Sequence, residues 1–486
     1  MIEYFNDLSK KEILKFKAFV NSPYLNPNKQ VVKLFSYLRS KYPNIKDSDL
    51  DKLAVFKGLF PDKSYNDETI RKLISDFNKV FESFLIQTEF KTDIQQSNIL
   101  LLRSLRKRGI KKRFELILND TTKLQKKQFS RDEKFYANQV NLEHEYYLYN
   151  FEKFKFTYAK CLQNKSENID LNFIFQKLHV FNEMLNNQKS VGKSILFNKT
   201  FFDDILIYIE NNKKIIKTSH PNLYIIYLQI MMFTHLKKEY MDDLKSYLML
   251  NEKKFSRSDK SVLAYYYNYL VSFCLLKINK GETGYRKDLF SLYEKMISKD
   301  LFLIDNVIND YDFTSAVNNV LALNQPDWVE SFIEKYKKFI EPAFAKDAYN
   351  LAKAKIYFYR KDFEKIFPYL NSIVYKNPNY YFNSKFLLVR VYIETGNIRE
   401  AKYIIENLKQ YIREKNILTD EQITIIKTFN KYAIDLIKII LSNDKDKKGL
   451  TAIFRKELDN EKNFVPNKAW FYSMIEAKIK TGNIEN

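Results

Sequence analysis

The sequence predicts an all-α chain built from stacked helical hairpins, and three observations carry that expectation. Turn-formers are scarce: 8 Gly and 10 Pro make 18 of 486 residues, under 4%, against an average of about 12%. Sandwiches, barrels and hairpin-rich sheets need many positions with positive or fixed φ, so they are disfavoured. Apolar residues recur at helical spacing along much of the chain, and a short polar turn returns every 35 residues between Trp328 and Ile398. One compact core stops growing at roughly 250–300 residues. A chain of 486 residues is therefore read as several domains or as a row of small units, and the scarcity of turn-formers favours the row.

Residues 1–90 predict an N-terminal helical bundle, with helices near 9–20, 28–41, 49–60 and 67–88 separated by the turns NSPYLNPN and FPDKSYND. Ser9 and Glu12 have the S-x-x-E spacing of a capping box, in which each side chain accepts from the other residue's backbone N–H. Residues 91–220 predict helical hairpins that carry a basic segment. One hairpin turns at Arg108 and Gly109 and returns with the stripe Ile110, Phe114, Ile117 and Leu118. A long helix is expected from about 133 to 163, opened by Ser130 and Glu133. Residues 91–220 either continue the row or fold back as a separate lobe. Residues 221–486 predict a helical repeat array, with hairpins over 221–250 and 261–297 and a further capping box at Thr419 and Gln422.

The clearest repeats lie in 326–413. The second helix of successive hairpins starts at Trp328, Phe363 and Ile398, each 35 residues after the last, behind the turns QPD, RKD and TGN. The helix before the last turn carries Phe382, Phe386, Val389 and Ile393 at helical spacing, with Tyr381, Leu388 and Tyr392 as a second stripe. The helix after it carries Ile398, Ala401, Ile405, Leu408 and Ile412 on one face. A pair of helices cannot bury such faces alone, whereas stacking one pair on the next does. In TGN, Gly396 suits the left-handed residue just past a helix end. The same TGNI letters recur at 481–484, after a helix that bears Trp470 behind Pro466 and is expected to cap the array.

These units resemble the tetratricopeptide repeat (TPR). The resemblance rests on Ala354, Tyr357, Asp362, Phe363 and Pro378 in one unit, and on Tyr392, Gly396, Asn397, Ile398 and Ala401 in the next. Val389 and Ile366 stand where the family has small residues, and Arg413 where it has Pro. The resemblance implies a right-handed α-solenoid whose first helices line a concave face. On that face the family's exposed positions fall at Lys355 and Arg390, with Phe358 and Tyr359 nearby. A basic residue repeated one unit apart suits an acidic or C-terminal peptide; the other reading of the two residues, and the blander one, is ordinary surface charge.

Charge supplies the other candidate. Lys and Arg number 81 against 59 Asp and Glu, a net charge of +22. Residues 103–113, RSLRKRGIKKR, hold seven basic residues: Arg103, Arg106, Lys107, Arg108, Lys111, Lys112 and Arg113. Over 103–134, twelve basic residues against four acidic ones leave +8. The segment reads as a solvated hairpin tip or as an anion-binding patch for nucleic acid, the ribosome or an acidic protein. No aromatics interleave with the run 103–113, which counts against single-strand stacking.

Other patterns point away from chemistry. Gly192, Lys193 and Ser194 end a P-loop pattern whose first Gly is replaced by Asn187 and whose preceding strand is replaced by a helical pattern. His144 in LEHEYYL lacks the second His of a zinc-protease helix, and four scattered histidines suggest no metal. The stretches 49–60 and 67–88 imitate a helix-turn-helix, but PDKSYN is a long turn and the second helix carries a core stripe. Cys161 and Cys274 read as buried free thiols. The start, MIEYFNDLSKK, is no signal peptide, and LYIIYLQIMMF is too short to span a membrane. The expectation is a cytoplasmic, non-catalytic scaffold without cofactor, metal, membrane or small-molecule substrate. It would bind another protein or peptide, with a nucleic-acid- or ribosome-associated factor as the alternative.

Overall fold

The computed structural model describes residues 5, 8–151, 159–191, 198–256, 259–303, 306–373, 377–414 and 418–481. Among them the chain forms α-helices, short 3-10 turns and a single isolated β-bridge between Ile308 and Ile340. The second TGNI copy beyond Thr481, and Gly192, Lys193 and Ser194, lie outside the described residues. The chain divides into two compact units, Met1–His179 and Val180–Asn486.

In the first unit, α1 (Lys10–Val20), α2 (Lys29–Lys41), α3 (Lys52–Leu59) and α4 (Asp67–Thr92) surround an aromatic core. Phe16 is fully buried and meets Phe35, Phe77, Phe81 and Phe84 at ring-centroid distances of 5.3, 5.8, 5.2 and 5.0 Å. The Ser9 and Glu12 capping box is made, so local chemistry sets where α1 starts. The helix-turn-helix imitation resolves physically. Ile70, Leu73, Phe77, Phe81 and Phe84 of α4 all belong to this core, and Arg71 pairs with Asp67 one turn back at 2.6 Å.

Helices α5 (Ile94–Lys107), α6 (Lys111–Lys127) and α7 (Glu133–Phe151) build a second, smaller core. It contains Leu102, Leu105, Phe114, Ile117, Leu142 and Tyr149. The start of α7 is held by Asp132, whose carboxylate accepts from the Phe135 N–H at 2.8 Å, two residues after the expected Ser130. The helix expected over 133–163 is described as α7 and, beyond 152–158, as the start of α8 (Ala159–Val191). The joint at 152–158 is outside the described residues.

The second unit continues with α9 (Phe202–Asn211), α10 (Lys213–Ser219) and then an alternating series. Six hairpins follow: α11 (Pro221–His235) with α12 (Lys238–Asn251), α13 (Lys260–Asn279) with α14 (Tyr285–Ser298), and α15 (Asp310–Leu321) with α16 (Pro326–Tyr336). Next come α17 (Ala345–Tyr359) with α18 (Ile366–Asn371), α19 (Pro378–Glu394) with α20 (Ile398–Glu414), and α21 (Asp420–Leu441) with α22 (Asp444–Asn460). Helix α23 (Lys468–Thr481) follows the last pair. Within each hairpin the two helices pack together. First helices also pack on first helices, α15 on α17, α17 on α19, α19 on α21 and α21 on α23. This is the packing of a helical solenoid, in which each pair buries a face its neighbour leaves open.

The turns follow one local rule. Gly396 adopts φ +79°, and the Asn397 N–H reaches back to the Tyr392 carbonyl at 2.8 Å. That is the Schellman closure, which satisfies a carbonyl stranded at the helix end. Asp362 N–H closes on Tyr357 in the same way at 2.9 Å, with Lys361 at φ +62° in the glycine's place. Ile398 and Phe363 then open the return segments, while Trp328 stands in the first turn of α16 and stacks on Phe332 at 5.1 Å. Helix α11 is buried on nearly every face, which accounts for its all-round apolar sequence. Among the described residues, no helix is long and apolar enough to cross a membrane. Cys161 and Cys274 are free and buried, and burial pushes the Cys274 thiol up to about 12.

Candidate functional site

Helix α17 presents Lys355, Phe358 and Tyr359, and α19 presents Arg390 one repeat later. Because the two helices pack in register, residues 35 positions apart become neighbours. The Arg390 guanidinium carbon lies 4.1 Å from the centroid of the Phe358 ring. Phe358 is itself buried, at 7% exposure, so it supports the guanidinium instead of offering an open aromatic face. Lys355 donates to Asn318 Oδ1 of α15 at 2.8 Å, and the exposed Tyr359 hydroxyl donates to Asn324 Oδ1. Lys355, Phe358 and Arg390 thus meet across α17 and α19, with Asn318 of α15 on the lysine, while Tyr359 turns to Asn324.

The electrostatics separate this cluster from its surroundings. Three neighbouring cations each have a carboxylate. Lys353 bonds Glu330 at 2.8 Å, Arg360 bridges Asp327 and Glu330 at 3.0 and 2.9 Å, and Lys361 pairs with Glu394. Lys355 and Arg390 are held by neutral amides instead, Asn318 for the first and Asn467 Oδ1 at 2.8 Å for the second. Glu394, one turn beyond Arg390, has one carboxylate oxygen on Lys361 and the other on the Trp470 indole N–H at 2.7 Å. Burial, reinforced by the charge of Arg390, pushes the Lys355 ammonium down to about 7. Burial also pushes the Arg390 guanidinium down to about 10, against the pull of Glu394. Two desolvated cations side by side, with no carboxylate between them, suit an incoming anion.

Asn318, Asn467 and Trp470 were not assigned to this site by sequence reasoning. Asn318 stands 37 residues before Lys355, so extending the repeat register upstream would have found it. Asn467 and Trp470 come from the far end of the unit, 77 and 76 residues from their partners on α19. No periodicity links them to it.

The basic segment behaves differently. Arg103 and Arg106 of α5 both donate through Nε to Glu145 of α7, at 2.9 and 3.0 Å, and the carboxylate is only 1% exposed. These two arginines therefore neutralise a buried acid. Lys107, Arg108, Lys111, Lys112 and Arg113 remain exposed around the turn. Arg108 also reaches back to the Ser104 carbonyl at 3.2 Å. Lys111, Lys112 and Arg113 fill the first turn of α6, which holds no acidic residue, and Ile110 at its cap provides no side-chain hydrogen bond. Cations there oppose the positive end of the helix dipole.

Among the described residues no group of three or more His, Cys, Asp or Glu side chains gathers to hold a metal ion. No family model, curated protein or solved structure matches this chain.

Proposed function

We propose that this protein is a non-catalytic, cytoplasmic scaffold whose TPR-like second unit binds an acidic segment of another protein or a peptide C-terminus. The segment would lie along the face made by α15, α17 and α19. The observation that carries this reading is that Lys355 and Arg390 are hydrogen-bonded by amides, while Lys353, Arg360 and Lys361 beside them each have a carboxylate. A peptide carboxylate would provide the charge that the fold withholds, and charge-assisted hydrogen bonds of this kind are the stronger ones. A right-handed array with first helices on its concave side would present these groups to an extended chain.

Fluorescence anisotropy with a fluorescein-labelled hepta-glutamate peptide tests the reading. Replacing Lys355→Ala and Arg390→Gln together is expected to weaken binding by about tenfold or more, the effect of one lost charged hydrogen bond. Equal affinity in wild type and variant would remove the cluster from recognition.

The cations crowded at the uncapped start of α6 favour a second reading, a nucleic-acid- or ribosome-associated factor. Its signature is salt. Affinity for a single-stranded RNA oligonucleotide would fall steeply and linearly in log–log terms, and charge reversal at Lys107, Arg108 and Lys111 would flatten that slope. Arg106 is left intact in this test because it serves Glu145. A shallow slope that the variant leaves unchanged would dispose of the RNA reading.

A further inference from the structure

We infer that Asn467 and Trp470 form a latch that occupies the arginine half of this site in the free protein, and that an incoming carboxylate displaces it. The inference rests on the peptide-binding reading and adds a regulated entry step to it.

The latch begins at a turn. Asn467 follows Pro466 and takes a left-handed φ of +56°, a conformation that Asn accepts more readily than other side-chain-bearing residues. There its Oδ1 accepts from Arg390 Nη1 at 2.8 Å. One helical turn onward Trp470, 7% exposed, places its indole 5.4 Å from the guanidinium carbon, while Phe358 lies 4.1 Å from the same carbon. The indole N–H is in turn fixed by Glu394 at 2.7 Å.

This occupant serves the arginine incompletely. An amide oxygen brings no charge, and the Arg390 Nε–H is sealed from solvent without any acceptor. A buried donor left unmatched on a cation is costly, and rings compensate a guanidinium only in part. A carboxylate supplies the two things that Asn467 lacks, a negative charge and a second oxygen for a forked contact. It reaches Nε once Trp470 has swung aside. The rest of α23 need not move with it. Phe471, on the same helix, is anchored against Phe429, Tyr432 and Phe454 at 5.7, 6.1 and 6.1 Å, so rotation of two side chains suffices.

The test uses the full chain and the hepta-glutamate peptide. Asn467→Gly keeps the turn, since glycine prefers positive φ, and removes the acceptor. Trp470→Phe keeps an aromatic ring and removes the indole N–H. Each variant is expected to bind the peptide about three- to tenfold more tightly, because Asn467→Gly removes the competing acceptor and Trp470→Phe removes the Glu394 bond that holds the ring at the guanidinium. The chain holds two tryptophans, so in a Trp328→Phe background the emission of Trp470 should shift to the red when peptide is added.

Binding by the wild type with no gain in either variant and no change in Trp470 emission overturns the latch and leaves the peptide reading intact. Binding only after Asn467→Gly supports it most directly. Failure of wild type and both variants to bind overturns the peptide reading, and the latch with it.

Discussion

Replacing Arg103 and Arg106 together by leucine is expected to destabilise the unit Met1–His179 by about 3–5 kcal/mol, the usual effect of stripping the partners from a buried charge. Glu145 is 1% exposed and takes both Nε contacts, at 2.9 and 3.0 Å. Without them its carboxylate stays buried and loses both of these cationic partners on α5. The two arginines contribute unequally. Arg106 is 11% exposed and Arg103 45%, so Arg106→Leu alone should account for most of the loss. Adding Glu145→Leu to the double variant should restore much of the stability, because an apolar triad needs no compensation. Urea unfolding of the four proteins measures this directly. If the double variant unfolds at the wild-type midpoint, Glu145 does not depend on the basic segment, and the segment regains seven residues for binding.

The second large effect concerns Lys355. Its folded pKa, near 7, is well below the ordinary lysine value of 10.5. The unfolded chain therefore holds a proton that the folded chain has released between pH 7 and 10.5. Stability rises with pH wherever the unfolded state binds more protons, so the sign is a gain on going from neutral to mildly alkaline solution. The shift would correspond to about 5 kcal/mol at full effect. Lys355 is half-buried, and solvent screening reduces this to about 1–3 kcal/mol.

Lys355→Met should raise stability at pH 7 by that amount and erase the difference between pH 7 and 9.5. The range stops below pH 10 because buried tyrosines such as Tyr293 and Tyr267 begin to oppose folding above it. Guanidinium unfolding at four pH values is the measurement. Parallel profiles for wild type and variant would mean that Lys355 carries no penalty and that its amide partner is sufficient. A group retained at the expense of stability is characteristic of binding sites, and the same substitution should weaken the hepta-glutamate contact.

The sequence alone determined what depends on near neighbours. The Ser9 and Glu12 cap, the left-handed Gly396 and the return stripe from Ile398 are set by hydrogen bonds and contacts within a few positions. The residues next to them in the chain are therefore enough to specify them. The 35-residue register brought Arg390 beside Lys355 and Phe358, because packing first helices side by side converts a fixed offset into proximity.

What each charge meets is set by packing between distant parts of the chain. Glu145 lies 42 and 39 residues from its arginines, and Trp470 lies 76 residues from Glu394. No period joins these partners. Whether a lysine is a solvated ornament, half of a buried ion pair or an exposed anion contact depends on the dielectric and the partner it finds after folding. Coulomb energy follows distance in space and depth below the surface, and neither is written in the order of residues.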